Sequence, residues 1–173
     1  MGPPVQVLKT ERLVLRHLGP DDAPFILRLL NEPSWLENIG DRGVRTIADA
    51  QRYMDKGPIE MYGRLGFGLY LVCVAASDTP IGLCGLLKRA TLDDVDLGFA
   101  FLPDYWGKGY ARESSTAVLS YVRNTLNLAR IVAITTCGND SSRKLLERLG
   151  FSLERQVRLE PDVVELLLYA KAV

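Results

Sequence analysis

The sequence has little histidine, no long apolar run and no excess of either charge, and each deficit argues against a class of protein. His17 is the only histidine, which argues against a Ser-His-Asp triad and a histidine-rich metal site. The longest apolar run, residues 68–76, is far shorter than a membrane span. Lysine plus arginine equals aspartate plus glutamate at 21 each, so nothing global favours nucleic acid. We therefore expect a soluble cytoplasmic protein with no metal, nucleic-acid or membrane partner.

Cysteine is also scarce, and its placement argues against a disulfide framework or a metal cluster. Cys73, Cys84 and Cys137 are odd in number and form no Cys-x-x-Cys pair. All three lie in apolar, strand-like runs, so we expect buried, reduced thiols.

His17 follows a strand and is expected at the surface. The 173 residues fit a single domain that spans residues 1–173.

Apolar periodicity predicts strands and helices in mixed order, and hence an α/β (mixed α+β) domain. The expected strands cover residues 11–18, 67–75, 81–87, 94–102, 131–136, 152–159 and 163–170. The expected helices cover residues 23–30, 47–56, 111–126 and 139–149. Residues 1–9 are expected to form a loose tail or an edge strand. Gly57 and Pro58 are expected to end the second helix, and residues 160–162 to form the last turn.

A glycine turn between a strand and a helix is the strongest local signal. Pro103 closes the strand 94–102, Gly107 and Gly109 allow close backbone approach, and a helix follows from Ala111. Backbone amides and the positive end of a helix dipole meet there, which favours an anion. The chain has no Gly-Lys-Ser/Thr, so the loop is not a Walker A motif, and Arg112 replaces the third glycine of a dinucleotide fingerprint. A tight turn without a ligand stays open as an alternative.

Four segments in the right order give this loop a context. They are Thr10-Glu-Arg-Leu-Val-Leu-Arg16, Tyr105-Trp-Gly-Lys-Gly-Tyr-Ala111, Asn139-x-x-Ser142 and Leu149-Gly-Phe151. Together they resemble the GNAT superfamily of acyl-CoA N-acyltransferases, within it the RimJ/RimL-like branch, over nearly the whole chain. The resemblance implies a GNAT fold: a central, mixed, mostly antiparallel twisted sheet of seven or so strands with flanking helices, its fourth and fifth strands splayed. It also implies acetyl-CoA as co-substrate.

The resemblance further implies which residues hold the cofactor. The backbone of Phe101 and Leu102 would pair with the pantetheine arm, while amides of the loop would hold the pyrophosphate. The loop residues concerned are Gly107, Lys108, Gly109, Tyr110, Ala111 and Arg112. The side chains of Lys108 and Arg112 either add positive charge or stay solvated. Asn139 corresponds to an asparagine that contacts CoA in the family, and it can also cap the helix that follows.

Asp96 is the candidate to receive the proton of an attacking amine. It alternates with Gly98 and Ala100 on one face of its strand, where small side chains leave room for a cleft. The resembled branch often has glutamate here, so the shorter aspartate favours transfer through water. A solvated or salt-bridged Asp96 is the alternative.

The leaving thiolate lacks its usual partner in this chain. Many GNAT enzymes place a tyrosine about where Leu146 stands. The RimL-like pattern suggests Ser142 as a substitute, with helix capping as the alternative for its hydroxyl.

The segments expected to select the acceptor include Trp35 and Tyr62. Trp35 looks exposed and is interpreted as either a pocket wall or a core anchor. The expected activity is acetyl transfer from acetyl-CoA to a primary amine, with a protein or peptide N-terminus favoured, by direct attack in a ternary complex. The alternatives are a small-molecule amine such as an antibiotic or polyamine, and a catalytically weak acyl-CoA sensor. A homodimer stays open.

Overall fold

An open sheet of eight strands runs through the centre of the protein, in the order β1-β2-β3-β4-β5-β6-β8-β7. The computed structural model describes residues 2–161 and 163–173. The strands are β1 (Gln6–Lys9), β2 (Leu13–Arg16), β3 (Leu69–Val74), β4 (Thr79–Leu87), β5 (Asp96–Phe101), β6 (Arg130–Thr136), β7 (Ser152–Val157) and β8 (Leu166–Ala172). All neighbours are antiparallel except β5 and β6, which are parallel. The mixed, mostly antiparallel sheet expected from the sequence is therefore confirmed.

Helices cover both faces of this sheet. They are α1 (Ala23–Leu30), α2 (Pro33–Asn38), α3 (Ile47–Met54), α4 (Glu60–Leu65), α5 (Tyr110–Tyr121) and α6 (Asp140–Arg148). The period of two in β3 divides the core, because Tyr70 and Val72 pack with α5 whereas Leu71 and Cys73 pack with α1 and α3. No helix in the described ranges combines the length and apolar character needed to cross a bilayer.

The sheet opens between β5 and β6. β4 and β5 pair over six residue pairs, but within the described residues the register of β5 and β6 holds a single pair, Asp96 with Val132. The Leu102 amide donates to the Ile81 carbonyl at 3.0 Å. Because hydrogen-bonding direction alternates along an antiparallel strand, the backbone groups of Phe99 and Phe101 face the opening. The splay expected at this position is present.

The structure decides one open alternative and adds two helices that were not predicted. Of the alternatives for residues 1–9, the edge strand is present as β1, which brings the sheet of about seven expected strands to eight. Helix α1 ends at Leu30, ahead of Pro33, as expected, but Pro33 also starts α2, since a proline at the first helical position lacks only an amide that would be unpaired anyway. Pro58 does not end helical structure either, because the wide turn Asp55–Ile59 absorbs its missing hydrogen bond before α4. Asp162 of the expected last turn lies outside the described residues.

Three side chains differ in exposure from what their sequence context indicated. Trp35 is only 5% exposed and packs in the core beneath α1 and α3. Cys137 is exposed, whereas Cys73 and Cys84 are buried as expected. His17 is half-buried and stacks on Tyr62 with ring centroids 3.9 Å apart. Each depends on packing between distant elements, which a local pattern does not encode.

Candidate active site

A cleft of about 1060 Å³ begins where β5 and β6 diverge. Residues from the glycine turn, α5 and α6 form one part of its wall, which we call the loop half. Residues from α1 to α4, from the segment that follows α2, from β3 and β4 and from the β4–β5 connection form another, which we call the helix half. Asp96 and Gly98 of β5 also line the cleft, and Asp96 is counted with the helix half because it contacts Arg89. The topology thus brings together segments that are far apart in sequence.

The glycine turn has the backbone geometry of an anion site. Gly107 and Gly109 have positive φ angles of 71° and 82°, a region that side chains with a Cβ disfavour. Gly109 directly precedes α5, whose first turn presents unpaired amides. A Cβ at Gly107 would meet nothing within 4 Å, so the backbone there is open to a ligand.

Arg12 fixes this loop from the edge of the sheet. Its Nη1 donates to the Lys108 carbonyl at 2.9 Å and its Nε donates to Glu113 Oε2 at 2.7 Å. Its guanidinium also lies 4.6 Å from the centre of the Tyr110 ring. Thr10 Oγ1 donates to Glu113 Oε1 at 2.6 Å. These contacts join the β1–β2 segment to the start of α5, so the loop is held before any ligand arrives.

Glu113 is held in its charged form by this network. Its partial burial acts to raise the pKa of the carboxyl, but hydrogen bonds from Thr10 and Arg12 outweigh it and lower the pKa below its ordinary value. A charged Glu113 in the first turn also complements the helix dipole. It therefore stabilises the same helix start that carries the open amides.

The two residues expected to pair with a pantetheine arm differ in their backbone partners. The Leu102 amide is bonded to Ile81, and its carbonyl accepts from the Tyr105 amide at 3.0 Å. Pairing of Leu102 with a ligand is therefore not supported by the structure. Phe101 faces the opening, and its carbonyl accepts from Trp106 Nε1 at 2.9 Å. Phe101 thus remains the candidate, with Trp106 beside it at the mouth of the loop half.

Asp96 lies at the last paired point before the strands diverge. It is 1% exposed, and its Oδ2 accepts from Arg89 Nε at 2.8 Å. Its Oδ1 has no hydrogen-bond partner among the described residues. Burial raises the pKa of this carboxyl, and the charge of Arg89 only partly opposes the shift. The sequence left a solvated or a salt-bridged Asp96 as alternatives to a catalytic one, and the structure shows it ion-paired and not solvated. Because Asp96 also lines the cleft, its role in proton transfer stays a prediction.

Asn139 and Ser142 lie together at the start of α6. Asn139 caps the helix, because its Oδ1 accepts from the Ser142 amide at 3.2 Å. Both residues line the loop half, and so does the buried Leu146 where the family often has a tyrosine. Capping and ligand contact are compatible here, since the cap uses only one atom of each residue. Their roles toward a cofactor stay predictions.

The remaining loop residues divide between the cleft and the outside. Tyr110, Ala111 and Arg112 line the cleft. Lys108 instead places its amino group 5.5 Å from the centre of the Tyr105 ring. Its backbone carbonyl is the acceptor for Arg12. Lys108 therefore contributes to the loop mainly through its main chain.

The two expected acceptor residues end up in different environments. Trp35 is both a core anchor and part of the cleft wall. The ring of Tyr62 stacks on that of His17, the ring centroid of Tyr70 lies 5.7 Å away, and the Tyr62 hydroxyl donates to the Leu69 carbonyl. The α4 residue that lines the cleft is its neighbour Met61. The expected contact of Tyr62 with the acceptor is therefore not supported, because packing against His17 turns its ring into the core.

Sequence reasoning missed three site residues. Arg89 lies in a polar connection without any periodicity, so nothing local pairs it with Asp96. Arg12 belongs to a segment that the family resemblance used, but its partner Glu113 is 101 residues away. Trp106 was part of the loop motif, yet its indole hydrogen bond depends on the turn geometry. The sequence signal was available for Arg12 and Trp106, and absent for Arg89.

Comparisons with known proteins agree with this geometry. The sequence matches the family description "Acetyltransferase (GNAT) domain" over residues 12–152. The uncharacterized N-acetyltransferase p20 of Bacillus licheniformis is 28% identical over 159 residues, covering 89% of this chain and 86% of the relative. An acetyltransferase from Agrobacterium tumefaciens superposes with a TM-score of 0.81 at 25% identity, covering 100% of this chain and 96% of the other.

RimL, a ribosomal alpha-N-protein acetyltransferase solved with coenzyme A, has the same fold. Its TM-score is 0.82 at 18% identity, with 97% of this chain and 98% of RimL covered. The family match spans most of the chain and includes β2 to β6, the glycine turn and α6. The chain therefore belongs to the GNAT acetyltransferase family and is an acetyl-CoA-dependent N-acetyltransferase.

Proposed function

We propose that this enzyme acetylates the α-amine at the N-terminus of a protein or peptide, with both substrates bound together. The observation that carries the proposal is the single cleft that joins the glycine turn to the buried carboxyl of Asp96. One cleft lets acetyl-CoA enter along the loop half while an amine arrives from the helix half. We propose direct attack in a ternary complex, since a covalent intermediate is not needed when both reactants are held side by side.

The loop half fits acetyl-CoA by its chemistry. Amides of residues 107–112 suit the pyrophosphate, and the backbone of Phe101 suits an extended pantetheine arm in the opening between β5 and β6. Asn139 and Arg112 line the same half and would contact the bound molecule. A preformed loop lowers the entropic cost of binding, since Arg12 already orders it.

The reaction needs a neutral amine, and this favours an α-amine over a lysine. At neutral pH an α-amine with a pKa of about 8 is neutral in roughly a tenth of the molecules, whereas a lysine with a pKa of about 10.4 is neutral in fewer than about one in a thousand. The amine nitrogen attacks the thioester carbonyl, the C–S bond breaks, and CoA leaves as thiolate. We propose that Asp96 takes the amine proton through water and that Ser142 donates to the sulfur.

The substrate panel that tests this proposal uses peptides carrying one internal lysine, each with a free or an N-formylated terminus. Thiol release from acetyl-CoA gives the rate, and tandem mass spectrometry locates the acetyl group. We expect acetylation of the free α-amine and none of the formylated peptide. Acetylation confined to a polyamine or an aminoglycoside in the same panel would favour the small-molecule alternative. Tight CoA binding without turnover on any amine would favour an acyl-CoA sensor.

A further inference from the structure

The helix half of the cleft carries two guanidinium groups on a largely apolar wall. Arg42 comes from the segment after α2, and Arg89 comes from the connection between β4 and β5. Their neighbours on this wall include Leu29, Leu69, Leu83 and Leu87. Arg42 is exposed and the side chain of Arg89 is 28% exposed, so water satisfies these charges until a ligand takes its place. The protein partners of these two groups therefore decide what this half can bind.

Arg89 uses only part of its hydrogen-bonding capacity. Its Nε donates to Asp96 Oδ2 at 2.8 Å, and its side chain is 28% exposed. Among residues 2–161 and 163–173, neither terminal nitrogen of Arg89 has a hydrogen-bond partner. A guanidinium has five N–H donors in a planar fork, so four of them stay free beside Asp96.

Arg42 has all five of its guanidinium N–H donors available to a ligand. Within the described part of the chain its side chain makes no hydrogen bond and no ion pair, although it lines the cleft. Tyr53 of α3 lines the cleft together with both arginines. Burial raises the pKa of the Tyr53 hydroxyl, while the charges of Arg42 and Arg89 act to lower it. Both guanidiniums therefore line the same cleft as the Tyr53 hydroxyl and act on its pKa in the same direction.

A third donor belongs to the same wall. Trp35 Nε1 is buried and has no hydrogen-bond partner in the described residues. The acidic groups that line this half are Asp96, which Arg89 already pairs, and the exposed Glu37 of α2. A buried donor left without an acceptor costs free energy, and Trp35, which lines this half, carries one.

We propose that the helix half binds a carboxylate of the acceptor through Arg42 and the terminal nitrogens of Arg89, with the amine placed beside Asp96. This inference rests on the proposed acetyl transfer and names the acceptor class for the same site. A carboxylate matches the planar fork of a guanidinium with two parallel hydrogen bonds. The acceptor is then an amine that carries a carboxylate close to its nitrogen. Polyamines, which bring only positive charge, are disfavoured by the two arginines.

The carboxylate has two chemical sources, and matched pairs of acceptors distinguish them. The dipeptide amides Asp-Ala-amide and Asn-Ala-amide differ only in a side-chain carboxylate. Alanine and alaninamide differ in an α-carboxylate, and their rates are compared after correction for the neutral fraction of each amine. We expect kcat/KM to favour the carboxylate member of at least one pair about tenfold or more, as for hydrogen bonds to charged groups.

The Arg42→Gln variant tests the site directly. We expect it to remove most of the carboxylate preference by raising KM for the acidic acceptor, while the Kd of CoA stays within about twofold because the loop half is untouched. Arg123→Gln is the matched control, since Arg123 is an exposed arginine outside the cleft and its loss changes only net charge. Calorimetric titration of the same acceptors into the CoA complex measures the preference without requiring turnover.

Two outcomes would overturn the inference while leaving acetyl transfer intact. One is equal kcat/KM and equal Kd for both members of both pairs. The other is a carboxylate preference that Arg42→Gln leaves unchanged or that Arg123→Gln removes equally. If no acceptor is acetylated, the proposed function fails, but the calorimetric comparison of Asp-Ala-amide with Asn-Ala-amide still decides whether the helix half binds a carboxylate.

Discussion

The buried carboxyl of Asp96 is the residue on which the proposed chemistry depends most. One oxygen is bonded to Arg89, and the other has no partner among the described residues. A group in this state has lost its hydration without full compensation. Water or an amine that reaches the unpaired oxygen would complete its hydrogen bonding. Such incomplete satisfaction is typical of functional positions, where stability is given up for reactivity.

Replacement of Asp96 by asparagine keeps the shape of the side chain and removes its basicity. We expect Asp96→Asn to lower kcat about a hundredfold, at the lower end of general-base effects because the proton passes through water. The Kd of CoA should change less than about twofold, since Asp96 is remote from the glycine turn. Steady-state kinetics and calorimetry measure the two effects. An unchanged kcat and pH–rate profile would remove Asp96 from the mechanism.

Asp94→Asn is the matched control for this variant. Asp94 lies two residues earlier, and its carboxylate accepts from Arg130 Nε at 3.0 Å outside the cleft. We expect its loss to leave kcat unchanged. A comparable fall in kcat in both variants would assign the effect to general electrostatics instead of proton transfer.

The raised pKa of Asp96 also has a consequence for stability, with a definite sign. A carboxyl whose pKa is higher in the folded state stabilises the fold fully below its ordinary pKa of 3.8. That contribution is lost as the pH rises through the folded value. The wild type should therefore lose stability relative to Asp96→Asn as the pH increases above 3.8. Urea unfolding of both proteins across this range measures the difference.

At the scale of elements, the unit that matters is the glycine turn together with the start of α5. The turn needs two positive φ angles, and Arg12 crosses from the β1–β2 segment to bond its carbonyl. Glu113 receives hydrogen bonds from both Thr10 and Arg12. The loop is therefore a preorganised part of the sheet edge, and its amides can bind an anion without further ordering.

An alanine at Gly109 tests this preorganisation. The residue has a φ of 82°, and an added Cβ would approach an Arg12 Nη atom at 3.3 Å. We expect Gly109→Ala to lower the free energy of unfolding by about 1–2 kcal/mol through backbone strain. It should also raise the Kd of CoA about tenfold or more, because the strained turn misplaces the amides. Retained CoA affinity would mean that the loop is only a turn.

Gly63→Ala is the matched glycine control. Gly63 lies within α4, its φ is not positive, and an added Cβ there would meet nothing within 4 Å. We expect this substitution to stabilise the protein by up to about 1 kcal/mol, since alanine is the better helix former. CoA affinity should not change. Chemical denaturation and calorimetry on the same two variants separate strain from a general glycine effect.

At the scale of the whole molecule, the cleft lies between strands β1–β5 and strands β6–β8 of the sheet. β5 contributes Asp96 and Phe101, while β6 and α6 form the opposite wall. Within the described residues the strands pair at one position only, so few backbone hydrogen bonds hold them together there. A ligand that fills this opening would add contacts between the two parts of the sheet, and its binding should therefore stabilise the complete fold.

We predict that acetyl-CoA raises the thermal midpoint of unfolding. At a free concentration of about 100 times Kd, linkage gives about 2.7 kcal/mol, or roughly 5–10 °C for a domain of this size. Differential scanning fluorimetry with and without acetyl-CoA measures the shift. Gly63→Ala should show the full shift and Gly109→Ala a reduced one. A midpoint independent of acetyl-CoA would contradict binding at this cleft.

Most of the fold was predictable from the sequence because its signals are local. Alternation identified β2, apolar runs bounded by turns identified β3 to β6, and helical spacing identified α1, α3, α5 and α6. The two missed helices, α2 and α4, are six residues each. α2 begins at Pro33 and α4 begins two residues after Pro58, and a proline in a sequence usually indicates the end of a helix. α4 follows the wide turn Asp55–Ile59, and residues of both helices line the cleft.

The sequence by itself determined the order of elements, the glycine turn and the family, because turn chemistry, periodicity and motif spacing are properties of neighbouring residues. Only the tertiary structure decided which charges meet. It paired Arg89 with Asp96, used Arg12 to hold a loop far along the chain, and turned Tyr62 into the core. These outcomes depend on contacts between residues distant in sequence, whose free energies are set by burial and geometry that no local pattern records.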